Sequence, residues 1–191
     1  VKGREEIFKV HSRNKPLASD VNFKSLARLT VGFTGADIEN VLNESAILAA
    51  RDNRKLITMK DISEAVNKVE AGPAKKSRLV TETDKRITAY HESGHAIIAK
   101  KLGNNTVHEV TIIPRGQAGG FTISLPANDD AYMTKQKLLD RITELLGGRA
   151  AEEIVIHDIS TGASNDIQRA SQIARKMVTE WGMSDSIGNM Y

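Results

Sequence analysis

The chain has 191 residues, of which 40% are hydrophobic and 27% charged, which is ordinary for a globular protein of one large or two small domains. It contains no cysteine, which excludes disulfides and thiolate metal sites and leaves histidine and carboxylates as metal ligands. The +3 net charge is spread along the chain and only 4% of residues are aromatic, so we predict no nucleic-acid partner. There is no apolar run of about 18 residues and no signal-peptide pattern, so we expect no membrane-crossing segment in this sequence.

A small all-α bundle is predicted for residues 1–71. Thr34 and Thr58 are each followed three residues later by an aspartate, a spacing typical of a capping box at a helix start. Ser19-Asp20 is a further candidate cap, and short loops between the segments favour a bundle. The predicted helices cover residues 4–14, about 22–30, 34–53 and 58–72.

Residues 72–82 are interpreted as a linker between two domains. Gly72-Pro73 ends the last helix of the bundle, and a short basic run follows it. Such runs are usually solvated, and we assign no binding role to Lys75, Lys76 or Arg78.

The next segment, Thr83 to Leu102, has the periodicity of one helix and carries the motif H-E-x-x-H. His91 and His95 lie one turn apart, so both imidazoles can reach a single point. This pattern is typical of a zinc site in which a water completes the ligands and Glu92 accepts the proton of that water. The alternative is two histidines and a glutamate on a partly exposed helix. Zinc is favoured because the histidines continue the apolar stripe and Gly94 indicates close approach to the backbone.

The remaining residues are predicted to be mostly helical, with one small β element. Strands are expected at 107–113 and 121–125, because both are β-rich runs that end at a proline. A long helix is expected over 134–154, with Gly147-Gly148 permitting another helix to come close, and a final helix over 165–181. The predicted fold class is therefore mainly α with a small β element.

The motif does not supply a third protein ligand, and the histidine of the metzincin continuation is missing. Three protein ligands are usual in catalytic zinc sites, which leaves the downstream acids. Asp129 and Asp130 lie in a polar loop and are expected to be solvated. Glu153 is a rival at the end of the long helix. Asp166 is better placed, because it lies in the first turn of the last helix on its buried side.

Several segments together resemble the FtsH-type ATP-dependent membrane zinc metalloproteases. In the order of that family, they are VGFTGADIENVLNESA (31–46), GPAKKSR (72–78), AYHESGHA (89–96), IIPRGQAGG (112–120), LLGGRAAEE (145–153) and STGASNDI (160–167). The resemblance implies that residues 1–71 are the helical lid of an AAA+ ATPase and that residues 83–191 are a mostly helical zinc peptidase domain that lacks its C-terminal part. It also implies that Asp166 supplies the third zinc ligand.

The resemblance has clear departures as well. No Walker A loop, G-x-x-x-x-G-K-S/T, occurs here, and the Walker B acids and transmembrane anchors of the family are missing. The sequence therefore resembles a fragment of a longer protein, soluble by itself and without ATPase activity. His11, Gly35 and Ala36 match family residues that touch nucleotide, so we expect weak nucleotide binding at best.

Two functions follow as hypotheses. In the first, His91, His95 and Asp166 hold Zn²⁺, and Glu92 is the general base of an endopeptidase. The resemblance then implies unfolded or damaged proteins as substrates, a homo-hexameric parent that uses ATP, and a membrane location with this part on the cytoplasmic side. In the second, the chain is a non-catalytic lid and scaffold fragment for nucleotide sensing and ring assembly.

Overall fold

A computed structural model describes residues 1–75, 79–103, 105–116, 118–126 and 132–188. The chain divides into two compact units, Val1–Lys76 with Arg115–Gln117, and Ser77–Pro114 with Ala118–Tyr191. Seven α-helices and one two-stranded sheet in the described ranges confirm the mainly α prediction. None of these helices is long and apolar enough to cross a bilayer. Asp129, Asp130, Lys76 and Arg78 lie outside the described residues.

The first unit contains four helices, and all but the first begin with a side-chain cap. The capping boxes predicted at Thr34 and Thr58 are both present. The second helix is capped by Asn22, whose side chain accepts the Ser25 N–H, and the predicted cap at Ser19-Asp20 was therefore wrong. The helices are α1 (Lys2–Ser12), α2 (Phe23–Leu29), α3 (Gly35–Arg51) and α4 (Met59–Ala71).

Apolar side chains fill the centre of the first unit. Phe8, Ile38 and Ile62, from three different helices, have no exposed surface. At the start of α4, Asp61 is almost completely buried and accepts two hydrogen bonds of 2.6 Å from the Arg54 guanidinium. These hydrogen bonds hold the pKa of the Asp61 carboxyl well below its usual range. The paired charge thus fixes the start of α4 against the preceding loop.

The second unit consists of helices around a small antiparallel sheet. The sheet pairs Val110 with Thr122 and has an irregular register between Val107 and Glu109. The long helix predicted to reach Ile154 is α-helical only to Ala151, and a single π-helical turn, Glu152–Ile156, continues it. The elements are α5 (Glu82–Leu102), β1 (Asn105–Thr111), β2 (Phe121–Pro126), α6 (Lys135–Ala151) and α7 (Ser164–Thr179).

Glycines allow α5 and α6 to cross at backbone contact. A Cβ on Gly147 would lie 2.9 Å from the Gly94 carbonyl oxygen. A Cβ on Gly94 would lie 2.7 Å from the Ala151 Cβ and would overlap the Gly147 carbonyl. Only glycine leaves room for this crossing, which confirms the close approach predicted at Gly94 and at Gly147-Gly148.

Candidate metal centre

The site is built on the middle of α5, which crosses the glycine pair of α6. His91 and Glu92 are buried, and His95 is largely covered. The imidazole rings of His91 and His95 meet edge to face with centroids 4.7 Å apart. The helical spacing therefore brings both imidazoles to one place inside the second unit, as the motif predicts.

The Nδ1 atom of each histidine faces a hydrogen-bond acceptor. His91 Nδ1 lies 2.6 Å from Glu152 Oε1, and His95 Nδ1 lies 2.8 Å from the carbonyl oxygen of Glu144. Because carboxylate and carbonyl oxygens accept, the neutral form of each imidazole carries its proton on Nδ1 and presents a lone pair at Nε2. The two Nε2 atoms are only 3.0 Å apart. Two acceptor atoms at that distance repel unless a cation or a proton lies between them.

Asp166 adds a negative charge at the same point. It lies in the first turn of α7, and its Oδ2 is 3.3 Å from His91 Nε2 and 3.4 Å from His95 Nε2. Burial alone would raise the pKa of this carboxyl, but its contacts with the two histidines outweigh burial and hold the pKa well below its usual range. For both histidines burial acts to lower the pKa, but the hydrogen bonds to Asp166 and to Glu152 or the Glu144 carbonyl together outweigh it and raise the pKa.

These donor atoms fit a zinc ion. Ligand atoms at about 2.0–2.1 Å from a tetrahedral zinc lie about 3.3 Å from one another, and the three distances here are 3.0, 3.3 and 3.4 Å. His91, His95 and Asp166 are also the cluster of three potential ligands in the described residues whose donor atoms come within 4.8 Å of one another. Two neutral imidazoles and one carboxylate form a common catalytic zinc set.

Gly148 forms one wall of the site. A Cβ at this position would lie 2.6 Å from His91 Cε1, His91 Nε2 and His95 Nε2. The two rings thus occupy the space that any side chain at position 148 would need. The glycine pair of α6 therefore serves the helix crossing and the histidines at once.

Glu152 also belongs to the site, although the sequence predicted only its neighbour Glu153 as a candidate. Glu153 is exposed to solvent, whereas the Glu152 side chain is only 1% exposed. Besides the bond to His91, Glu152 Oε2 accepts the Ser160 backbone N–H at 2.7 Å. Its spacing of four from Gly148 puts both on one helix face, and that spacing could have identified it.

Glu92 contacts the start of β2. The Thr122 hydroxyl lies 2.8 Å from Glu92 Oε2 and 3.0 Å from the Glu92 carbonyl oxygen. Burial raises the pKa of the Glu92 carboxyl, although the hydrogen bond from Thr122 acts in the opposite direction. The carboxylate is therefore a stronger base than an exposed glutamate, and the charges of His91, His95 and Asp166 also act on its pKa.

The structure places the three residues predicted to touch nucleotide at the contact of α1 with α3. His11 is half-buried, and its Nδ1 lies 4.0 Å from Glu39 Oε2. Gly35 begins α3, and a Cβ there would lie 3.9 Å from Ile7 Cγ2. Ala36 is exposed beside it. The three positions thus lie on two adjacent helices of the first unit.

Comparison with known proteins places this geometry in a family. The model of peptidase family M41 matches residues 78–191, and the AAA+ lid domain model matches residues 20–64. The chain therefore belongs to peptidase family M41, and an AAA+ lid precedes its peptidase part.

Named relatives agree with this assignment. All 191 residues are 61% identical to part of ATP-dependent zinc metalloprotease FtsH 1 of Thermoanaerobacter sp. (strain X514), covering 31% of that protein. They are 59% identical to part of FtsH 2 of Alkaliphilus metalliredigens, covering 28% of it. The FtsH protein of Bacillus subtilis is 57% identical over 97% of this chain and 29% of its own length. The chain thus spans less than a third of these relatives.

Proposed function

We propose that this chain carries the zinc endopeptidase centre of an ATP-dependent protease, with His91, His95 and Asp166 as zinc ligands and Glu92 as general base. The observation that carries the proposal is the convergence of two Nε2 lone pairs and one carboxylate oxygen to within 3.4 Å of one another. Relatives named as ATP-dependent zinc metalloproteases support both the metal and the reaction.

The chain's own residues provide a ligand set and a proton acceptor. Zinc bound in such a set polarises the scissile carbonyl and makes a water molecule more acidic. Glu92, next to His91 on the helix, takes the proton of the attacking water and passes it to the leaving amine. The burial that raises the pKa of Glu92 makes it a better acceptor for that proton. Glu152 and the Glu144 carbonyl hold the two imidazoles with their Nε2 atoms toward the metal.

The substrate is an unfolded polypeptide that binds in extended form. In the described residues β2 pairs with one strand only, β1, so its other edge offers main-chain donors and acceptors. Pairing through the main chain is indifferent to side chains and suits broad specificity. Because β2 also carries Thr122, which contacts Glu92, a segment bound at this edge would lie near the reacting groups.

The first unit would serve the ATP-dependent part of the complete protein. We infer that residues 1–71 are the lid, residues 72–82 the linker and residues 83–191 the peptidase domain. His11, Gly35 and Ala36 would contact ATP in the complete protein, which we infer to be a homo-hexamer anchored in a membrane with this part on the cytoplasmic side. The match of residues 20–64 to the AAA+ lid supports this assignment.

Metal analysis combined with one substitution tests the proposal. The purified chain should hold one zinc ion and hydrolyse fluorescein-labelled unfolded casein. Glu92→Gln should keep the zinc and lower hydrolysis by about 10²–10⁴-fold, because an amide cannot accept the proton. Glu153→Gln, on an exposed residue, is the control and should leave both properties unchanged.

Two results would contradict the proposal. Hydrolysis at the wild-type rate by Glu92→Gln would show that Glu92 is not the general base. A folded wild-type chain with neither zinc nor hydrolysis would favour the non-catalytic lid and scaffold hypothesis.

A further inference from the structure

Thr122 makes the only side-chain hydrogen bond to the Glu92 carboxylate within the described part of the chain. Its Oγ1 lies 2.8 Å from Glu92 Oε2, and it comes from β2, thirty residues further along the chain. The interaction therefore depends on how the sheet docks on α5, which nothing in the H-E-x-x-H motif specifies.

The close approach of β2 to α5 requires the glycine that precedes the strand. A Cβ on Gly120 would lie 2.7 Å from Thr88 Cγ2 and 3.2 Å from Glu92 Cγ. Glycine thus lets the backbone reach the stem of Glu92, and Thr122 follows two residues later. The pairing of Thr122 with Val110 fixes its position along the strand. Sheet and helix together restrict the Glu92 side chain at its stem and at one oxygen.

Hydrogen-bond counting shows how the Thr122 hydroxyl is used. It has one proton and two acceptors within reach, Glu92 Oε2 at 2.8 Å and the Glu92 carbonyl oxygen at 3.0 Å. Glu92 is an interior residue of α5, so its carbonyl has a partner in the helix. The carboxylate has no other partner in the described residues and carries the charge, so it is the stronger acceptor. The hydroxyl therefore donates to Oε2.

We propose that Thr122 is a positioning residue for Glu92, holding one carboxylate oxygen so that the general base meets the attacking water in a single orientation. The proposal rests on the function proposed above, in which Glu92 accepts that proton. A general base works only within hydrogen-bond reach of its proton, and a displacement of about 1 Å costs roughly 10²-fold in rate. A residue that prevents this displacement acts on kcat.

Ser124 offers a matched control on the same strand. It lies two residues beyond Thr122 and therefore on the same face of β2. Its hydroxyl is buried and has no hydrogen-bond partner in the described residues. Ser124→Ala removes a hydroxyl from the same strand and face without removing a hydrogen bond.

The test compares Thr122→Val, Thr122→Ala, Thr122→Ser and Ser124→Ala in the zinc-loaded chain, with labelled casein as substrate. Valine and alanine remove the hydroxyl, and two such variants guard against a folding defect in one of them. Both should lower kcat by about 10–100-fold with KM and zinc content unchanged. Serine should restore most of kcat, because it keeps the hydroxyl, and Ser124→Ala should match wild type.

A second measurement needs no activity. In the zinc-free chain with ¹³C-labelled glutamate, the Glu92 carboxyl signal, assigned by its loss in Glu92→Gln, should shift in the valine and alanine variants only. Wild-type kcat in both variants, or an unshifted carboxyl signal, would overturn the role of Thr122. If Glu92→Gln abolishes hydrolysis at the same time, the proposed function survives that result. If Glu92→Gln is fully active, the assignment of Glu92 as general base is wrong, and the positioning role of Thr122 is wrong as well.

Discussion

The two units of this chain bury different kinds of side chains. Of the eleven largest fully buried side chains in the described residues, ten belong to the first unit, and eight of those ten are apolar. The remaining one, Glu152, is a carboxylate and belongs to the second unit. The first unit is thus held by an apolar core, whereas the most deeply buried large side chain of the second is an acceptor for a histidine.

Exposed apolar surface follows the same division. Among the large apolar side chains that are exposed in the described residues, only Val10, Val31, Ile47 and Leu56 lie in the first unit. The many others are in the second unit, and Ile154, for example, is 72% exposed. The second unit has a smaller set of buried apolar side chains, and its buried residues also include four polar ones at or next to the histidines: His91, Glu92, Glu144 and Glu152. The buried residues of the second unit therefore include groups of the proposed site as well as apolar side chains.

The largest effect is expected for a substitution at Gly148, the buried glycine that forms one wall of the site. Gly148→Ala should lower zinc affinity by more than about 100-fold and destabilise the second unit by about 1–3 kcal/mol, because the Cβ needs the space of both imidazoles. Gly3→Ala is the control: nothing lies within 4 Å of its Cβ, so alanine should stabilise α1 by about 0.5–1 kcal/mol. Zinc competition and urea unfolding measure both effects. Wild-type zinc affinity in Gly148→Ala would show that the histidines do not need this wall.

A smaller effect is expected when the carboxylate of Glu152 is replaced. Glu152→Gln should weaken zinc binding by about 10–100-fold, the usual cost of losing a group that supports a metal ligand. An amide has one acceptor oxygen, so it cannot accept from both His91 and Ser160 as the carboxylate does. Zinc titration measures the loss, with the exposed Glu153→Gln as control. Equal zinc affinity in the two variants would refute a supporting role for Glu152.

The smallest effect is expected for a substitution of Asp61, which should change the pH dependence of the first unit's stability. The pKa of Asp61 is depressed in the folded chain, so its stabilising contribution is complete above the unfolded value of about 3.9 and is lost as the pH falls below it. Asp61→Asn should destabilise the first unit by about 1–2 kcal/mol at pH 7 and by less at pH 3. Urea unfolding at the two pH values measures this. Asp37→Asn removes the corresponding acid from the exposed capping box of α3, and its smaller effect is the control. The same loss at both pH values would contradict the assignment.

Much of the fold and part of the site followed from local sequence. The periodicity of α5 predicted that His91 and His95 share a face, and the spacing of Thr34 and Thr58 from their aspartates predicted both capping boxes. These features depend on residues one helical turn apart. The contact of Asp166 with the histidines is a tertiary one, and its position on the buried side of a helix start was the available signal.

The directions of the side chains after Glu152 could not be predicted in this way. The π-helical turn Glu152–Ile156 takes an additional residue into the helix, which changes the face that each later side chain occupies. Ile154, expected inward from a regular 3.6-residue repeat, is therefore mostly exposed. Glu153, the rival ligand expected at the end of the long helix, is also exposed. A change in backbone hydrogen bonding inside a helix leaves no pattern in the residue types.

Asp166 follows His91 by 75 positions in the chain, and this separation indicates when the proposed zinc centre forms during folding. His91, Glu92 and His95 lie on adjacent turns of one helix and come together as soon as α5 forms. Bringing Asp166 to them closes a long loop, at a chain-entropy cost of about 4 kcal/mol. This cost is offset only when α6 and α7 have packed and formed their contacts. During synthesis from the N-terminus, a chain that has emerged as far as α6 already has both histidines and Glu92 but lacks Asp166, the third ligand proposed above. The proposed zinc centre is therefore completed by α7, the last helix in the described part of the chain.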